Sequence, residues 1–551
     1  MARTPFLRSI QQLVRDVRAS KATGIPLDEI PEIRKERKAR KMSRRGFLAG
    51  AAAGGALLTL PGRVRASNKA QPKITIVGGG IAGLTCALTL RDAGFDSTVY
   101  EASGRVGGRM FSNTGYFRNG QVSEWGGELI DTGHTTVRRL AKRFNLTLDN
   151  LHDAEPTGSD DVYRFRGRYY PKTQANQDFL AMFDAVAADQ DAAPFPTTFD
   201  SFTPAGKQLD NLSIFDWIES RVPGGHAAPL GQLLDVAYNI EYGAETNVQS
   251  SLNLIYLLAF QPTAASDSNP TPSQLDVFGE SDETFHIRGG NQLLPEAIAG
   301  ELCEQVKRGY RLVKLVKRSG GDYVLTFERG YSTYEVISDY VVLAIPFAVL
   351  ADVDISQAGF DARKKRAIAN LGRGHNGKLS MQFDRRGWRG TGPWPGISNG
   401  STFSDTGIQE TWDVSRAQGN PDRDPGILVH YSGGNVTDAK KLNVGFARAD
   451  SPLVVADVMQ ALPELDKVYP GLRWNGLAAE SLPHKSPFFN NSYSYWRVGQ
   501  YTDFAGSEGL PQGNVHFCGE HTSIDFQGFM EGGATTGKST AKDLIQILRG
   551  K

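Results

Sequence analysis

Two glycine-rich groupings in this chain have spacings suited to phosphate. Gly78-Gly-Gly80-Ile-Ala-Gly83 has the GxGxxG form, and Glu101 stands 18 residues after its last glycine. This pattern suits a dinucleotide. Gly78 allows the tight turn, Gly80 lets backbone N–H groups approach a pyrophosphate, and Gly83 lets helix and strand pack closely. A helix N-terminus at the turn favours phosphate charge, and Glu101 can accept from a ribose hydroxyl. The second grouping, Gly532-Gly-Ala-Thr-Thr-Gly-Lys-Ser539, fits the P-loop pattern letter for letter. A P-loop needs a strand feeding directly into its turn. Here the nearest strand candidate is the distant Val515–Cys518, so a small-residue face of a C-terminal helix is expected instead.

The elements that must position the first motif are present in order. Lys73–Val77 reads as a short buried strand, Leu84–Ala93 as an amphipathic helix, and Ser97–Tyr100 as a second strand. Further on, Asp178–Asp189, Ile214–Arg221, Pro229–Tyr242 and Val248–Phe260 have helical apolar spacing. Between 370 and 500 the pattern returns to strands, with Lys378–Phe383 and Gly426–Tyr431 the clearest. The chain has 551 residues, 40% apolar and 22% charged, which excludes disordered, collagen-like and coiled-coil proteins. That length suggests two or three domains. Three cysteines with no CxxC pair exclude a disulfide framework and a cysteine-built zinc site, and no metal is expected.

Directly after Glu101 comes Arg105-Val-Gly-Gly-Arg109, which resembles the second FAD motif of glutathione-reductase-like flavoproteins, the amine oxidases in particular. More segments follow in the order of flavin-containing amine oxidases. They are Glu124-Trp-Gly-Gly-Glu-Leu-Ile130, Phe285–Pro295, Arg311–Val316, Asp339–Pro346, Asn514–Thr522 and Gln527–Gly532. The resemblance covers roughly residues 73–548 and implies an α/β fold. A Rossmann-like, glutathione-reductase-type FAD domain is interleaved with a mixed sheet-plus-helix substrate domain. The expected division is 1–66 signal segment; 70–160, 285–350 and 501–551 FAD domain; 161–284 helical and 351–500 sheet parts of the substrate domain.

The resemblance also implies roles. Gly108 and Arg109 meet the cofactor phosphates. Gly126 and Gly127 pass the flavin ring, Val313 meets the adenine by its backbone, and Gly519 and Glu520 touch the pyrophosphate. The helix starting near Met530 points its N-terminus at the flavin, where its dipole stabilises reduced-flavin charge. Lys378 looks like the lysine that holds a water against the flavin and can manage a proton. Tyr501 and Phe529 align with the aromatic pair that flanks the amine. Gln500 stands where animal monoamine oxidases carry the flavin-bonding cysteine, so FAD is expected to be non-covalent. Glu128 occupies the place where many L-amino-acid oxidases carry a carboxylate-binding arginine. A carboxylate cannot clamp a carboxylate, so Arg288 and Arg497 become the candidates for an amino-acid substrate.

The activity so implied is oxidative deamination of a primary amine with O2 to a carbonyl product, ammonia and peroxide. An L-amino acid is the expected substrate, with a monoamine or a di/polyamine as the alternative. A flavin desaturase or dehydrogenase using a quinone is the second alternative. A homodimer is one assembly this reading admits. Residues 1–66 hold 15 Lys and Arg against 5 Asp and Glu, an excess of +10, which leaves the remainder at −9. That body offers no basic footprint for nucleic acid. Ser43-Arg-Arg-Gly-Phe-Leu-Ala-Gly50, a soft apolar run and the exit Val64-x-Ala66 resemble a twin-arginine export signal. The run is too short for a membrane span. The export machinery is thus an expected partner, and the periplasm or exterior the expected location.

Overall fold

The strand Ile74–Val77 is buried at every residue, as a parallel strand covered on both faces must be. It is the centre of a five-stranded sheet, flanked by Tyr340–Leu343 and Thr98–Glu101, with Val515–Phe517 and Val306–Arg308 at the edges. Every pairing in it is parallel. The computed structural model describes residues 72–259, 277 and 281–550. The expected export segment lies outside them.

The helix after the glycine turn, Ile81–Asp92, starts three residues earlier than expected. It is buried from Ile81 through Leu88 and again at Leu90, not along one stripe. The reason is the helix Met530–Arg549, which covers its outer side. A Cβ at Gly537 would stand 2.1 Å from the Ala82 carbonyl oxygen, and one at Gly533 2.9 Å from Ile81 Cγ2. The helices meet almost backbone to backbone. The P-loop match therefore resolves as packing: all of 532–539 lies inside the helix Met530–Arg549. Gly83 works the same way, since its Cβ would sit 2.0 Å from Gly78 O.

An eight-stranded sheet faces this unit. Its order is Phe446–Arg448, Trp474–Ser481, Asn376–Phe383, Gly426–Gly433, Glu410–Asp413, Ser398–Ser404, Asp160–Phe165, Arg168–Tyr170. The two strands expected here are its centre, and each runs two residues further. The hairpin at 160–170 joins by parallel pairing with Ser398–Ser404, so the stretch expected to be helical from 161 opens with strands. Arg311–Lys317, Tyr323–Arg329 and Ser332–Ser338 form a separate antiparallel meander.

Between the sheets' segments, Ile214–Arg221 and Pro229–Tyr242 are helices over the expected spans. Ser213 caps the first by accepting from Asp216 N, and Gly243, with φ 66°, ends the second. The helix expected at 178–189 is two, Lys172–Leu180 and Phe183–Ala192. They part where Met182 turns into the core. The next shortens to Ser251–Leu258 behind a Ser250 cap, and Phe260 lies outside the described residues.

Because Gly537 faces backbone that cannot move aside, Gly537→Ala is expected to cost about 1–3 kcal/mol of stability by overpacking. Urea unfolding of the FAD-loaded protein measures this. An unchanged midpoint would show that the helices have room.

Candidate active site

A long cavity runs from the Gly78–Gly83 turn to the eight-stranded sheet. At its first end lie Gly78, Gly80, Glu101, Gly108 and Arg109, with Tyr310, Arg311 and Leu312 beside them. Gly80 and Gly108 face one another, and a Cβ on Gly108 would stand 3.4 Å from Gly80 Cα. Glu101 also braces its own turn: Oε2 accepts from Gly79 N at 2.7 Å and Oε1 from Ser103 N at 2.8 Å. Arg109 donates to Ser492 O and to Glu520 Oε1, both at 2.9 Å. Burial pushes the Glu520 carboxyl up, but Arg109 outweighs it and holds the group below the usual range. Gly519, Glu520 and Met530 complete this stretch, with the N-terminus of Met530–Arg549 at the wall.

The middle of the cavity passes Gly126 and Gly127. A Cβ at Gly126 would lie 1.9 Å from Arg109 O, and one at Gly127 2.9 Å from Met530 Sδ. Glycine is required at Gly126, where the neighbour is backbone, while at Gly127 a side chain would have to push the Met530 side chain aside. Opposite stands Lys378, whose Nζ donates to Gly126 O at 2.9 Å and to Glu128 Oε2 at 2.8 Å. Trp412 Nε1 donates to Glu128 Oε1 at 2.9 Å, and Lys378 Nζ lies 5.3 Å from the Trp412 ring centre. Burial raises the Glu128 carboxyl, but the ion pair and hydrogen bonds outweigh it and leave its pKa below the ordinary 4.5. The lysine expected to hold a water against the flavin thus has an acid partner, Glu128.

The far end is acidic and aromatic. Ser481, Lys378, Tyr431 and Glu410 are directly opposite one another across four adjacent strands, and all four line the cavity. Glu241 and Glu283 line it too. Burial pushes the Glu410 carboxyl well above the usual carboxylate range, and Glu283, Glu241 and Asp161 add to the shift. Glu283 is presented from a left-handed backbone, φ 42°, a conformation that costs energy and gathers at functional sites.

Several expected positions lie elsewhere. Tyr501 is buried outside the cavity, donating to Asn253 Oδ1 at 3.0 Å and packed on Tyr256 and Trp496. The tyrosine that lines the cavity with Phe529 is Tyr493, eight residues earlier. Its hydroxyl donates to Ile240 O at 3.2 Å and lies 2.9 Å from the Tyr431 hydroxyl. Gln500 is likewise away from the cavity, its amide donating to Asn370 O. Ser492 takes the place before the tyrosine. Arg288 is exposed and paired with Asp149 at 2.6 Å, and Arg497 is exposed outside the lining. Val313 sits one residue past the lining, at a bulge where its carbonyl accepts from Asp354 N.

The sequence matches the family described as flavin containing amine oxidoreductase over residues 81–545. The chain belongs to that family. Among the relatives of this amine oxidoreductase are an L-amino acid dehydrogenase from a Synechocystis species and a probable polyamine oxidase from Arabidopsis thaliana. The first is 23% identical, spanning 86% of this chain and 94% of the relative. The second is 22% identical, spanning 89% and 90%. Among solved structures, cyclohexylamine oxidase from Brevibacterium oxydans superposes with TM-score 0.70 at 18% identity, over 87% of this chain and all of that one. A putrescine oxidase bound to putrescine gives 0.67 at 19%, over 87% and 99%. These likenesses concern the fold.

FAD is the cofactor of this amine oxidoreductase, and the residues present fit it. Glycines clear the passage, Arg109 and a helix N-terminus face the phosphate region, and Gly126–Gly127 leave a flat wall. When bound, FAD supplies the hydride-accepting chemistry. Among the described residues no cysteine lines the cavity: Cys86 and Cys518 are buried and Cys303 is exposed. A cysteinyl bond to flavin therefore has no donor in this cavity. The sequence reading missed Tyr493, Trp412, Tyr431, Glu241, Glu283 and Glu410. The glutamates belong to no motif.

Glu128 has a folded pKa below its unfolded value, so its stabilising contribution is full above about pH 4.5 and is lost as pH falls through the folded value. Glu128→Gln is expected to cost about 3 kcal/mol near neutral pH, by leaving Lys378 without its buried acid. It should also flatten the acid limb of the stability curve. Urea midpoints measured from neutral to acid pH decide it: parallel curves for wild type and variant would refute the pairing's weight.

Proposed function

We propose that this amine oxidoreductase oxidises a primary amine that carries a second cationic group, a di- or polyamine. The carrying observation is the row of Tyr431 and Glu410 with Glu241 and Glu283 at the far end of the cavity. Three carboxyl groups in electrostatic reach of one another suit a remote ammonium. An amino-acid substrate would need a cation there instead. The cations that line the cavity each have an acid partner: Arg109 with Glu520, Lys378 with Glu128, Arg311 with Glu328.

The chain's own residues divide the work. Phe529 and Tyr493 wall the reacting amine and exclude water, with Tyr493 held by Tyr431 and Ile240 O. Glu410 and its neighbours hold the far ammonium and set the distance to the reacting carbon. Lys378, fixed by Glu128 and Gly126 O, places a proton-bearing group at the flavin wall. The substrate R–CH2–NH2 loses a hydride equivalent and a proton to give the imine, which water hydrolyses to aldehyde and ammonia. O2 takes up the electron pair and two protons as H2O2. Export by the twin-arginine route belongs to the same reading, supported by the Arg44-Arg45 pair and the small-residue exit. Such a route carries a folded, FAD-loaded enzyme.

Peroxide release over a panel of L-amino acids, monoamines and diamines tests the substrate. Diamines are expected to turn over with the lowest KM, and turnover of amino acids alone would overturn the reading. Glu410→Gln should raise the diamine KM by about 10- to 100-fold, the worth of a charge-assisted contact, and leave monoamines nearly unchanged. Ammonium binding favours ionised Glu410, so wild-type diamine affinity should rise with pH through the titration of that group, and the variant should lose this rise. Arg44→Lys with Arg45→Lys is expected to trap the enzyme in the cytoplasmic fraction. Unchanged fractionation would remove the export proposal without touching the substrate.

A further inference from the structure

Three neighbouring strands of the eight-stranded sheet end on the same side with metal-ligating side chains. His375 stands just before Asn376–Phe383. Asp438 closes the short helix Gly434–Asp438 that follows Gly426–Gly433. His484 lies in the 3-10 turn Pro483–Lys485 that follows Trp474–Ser481. One potential ligand atom from each lies within 4.8 Å of the others. His375 Nδ1 is 2.7 Å from Asp438 Oδ1. The His375 and His484 rings are 4.4 Å apart between centroids, inclined by 15°.

The independent observation is His484. Both its ring nitrogens are buried, and among the described residues neither has a hydrogen-bond partner. An imidazole can satisfy one nitrogen as donor and one as acceptor, and buried polar atoms left unpaired are rare enough to require a reason. Among the described residues no group of this cluster pairs with either nitrogen, and a metal ion would take one of them.

We propose that His375, Asp438 and His484 form a binding site for a borderline divalent transition metal of the zinc class. Two imidazoles and one carboxylate, with a water in the remaining position, are a donor set that zinc accepts. An all-oxygen preference disfavours magnesium and calcium here. Zinc–ligand bonds of about 2.0–2.2 Å place ligand atoms closer together than 4.8 Å, so binding draws the side chains inward and the stacked imidazoles splay. His375 and Asp438 are partly exposed, which leaves an entry path. The ion ties the ends of three strands where two neighbours of its ligands, Asn376 and Pro483, line the cavity. The site acts on the frame of the cavity and not on the reacting atoms.

Chelator-treated, untagged, FAD-loaded full-length protein titrated with zinc chloride tests this. About one zinc ion per chain is expected by elemental analysis after desalting, with a zinc-dependent rise in melting temperature. His484→Ala and Asp438→Asn should each lose both the bound zinc and the rise, while keeping the flavin spectrum of a folded holoenzyme. Cobalt substitution adds a ligand-field spectrum in wild type that the variants lack. Zinc retained equally by both variants, or no zinc held by wild type, overturns the proposal. If one variant does not fold, the other alone carries the comparison.

Discussion

The ion pair between Lys378 and Glu128 is the buried charge–charge contact that fixes the eight-stranded sheet against the flavin wall. It joins the central strand of the eight-stranded sheet to the segment just after Gly126–Gly127, 250 residues away in sequence. A buried ion pair persists only when each charge also has its hydrogen bonds satisfied. Here Gly126 O takes one lysine proton and Trp412 serves the second carboxylate oxygen. The two glycines make that possible, since a side chain at either would strike Arg109 O or Met530. The turn at 107–110, the start of the last helix and the sheet strand are therefore fixed against a single stretch of bare backbone. A flat flavin needs such a wall.

From that wall the cavity changes electrostatic character in both directions. Towards the glycine turn it carries Arg109 and the positive end of a 20-residue helix. Towards the sheet it carries Glu410, whose carboxyl burial pushes well up and the nearby Glu283 and Glu241 push further. The first end suits the pyrophosphate of the cofactor, and on the proposed reading the second suits a remote ammonium. The ends are separated by Lys378 and Glu128, whose charges cancel locally, so neither ligand disturbs the other through a net charge at the reacting centre.

Much of this was legible from residues close in sequence. The strand–turn–helix–strand unit and the helices at 214–221 and 229–242 follow from local spacing, capping and turn residues. The amphipathic pattern of Ile81–Asp92 misled, because burial by Gly533 and Gly537 comes from the other end of the chain. The aromatic wall was placed at Tyr501 when the cavity holds Tyr493. Two tyrosines eight residues apart look equivalent to a pattern, and only the turn between them separates a wall from a core position. Val313 missed by one residue at a bulge, which no alternation rule reveals. The acidic end was invisible, since Glu241, Glu283 and Glu410 come from a helix terminus, a strained loop and a strand.

On the proposed reading, the carboxyl group that meets the far ammonium is placed by strand register. Ser481, Lys378, Tyr431 and Glu410 form one row because their strands pair antiparallel in a fixed alignment. Residues directly opposite in a sheet point to the same face, and the next row points to the other. The neighbouring row here is Glu480, Leu379, His430 and Thr411, all buried behind the cavity. A slip of one residue on the Glu410 strand would withdraw the carboxyl group from the cavity and put Thr411 in its place. The buried face of that strand opposes the slip, since the Thr411 hydroxyl donates to Gly400 O and Asp413 Oδ2 accepts from Trp388 Nε1. The packing of one face thereby fixes the chemistry of the other.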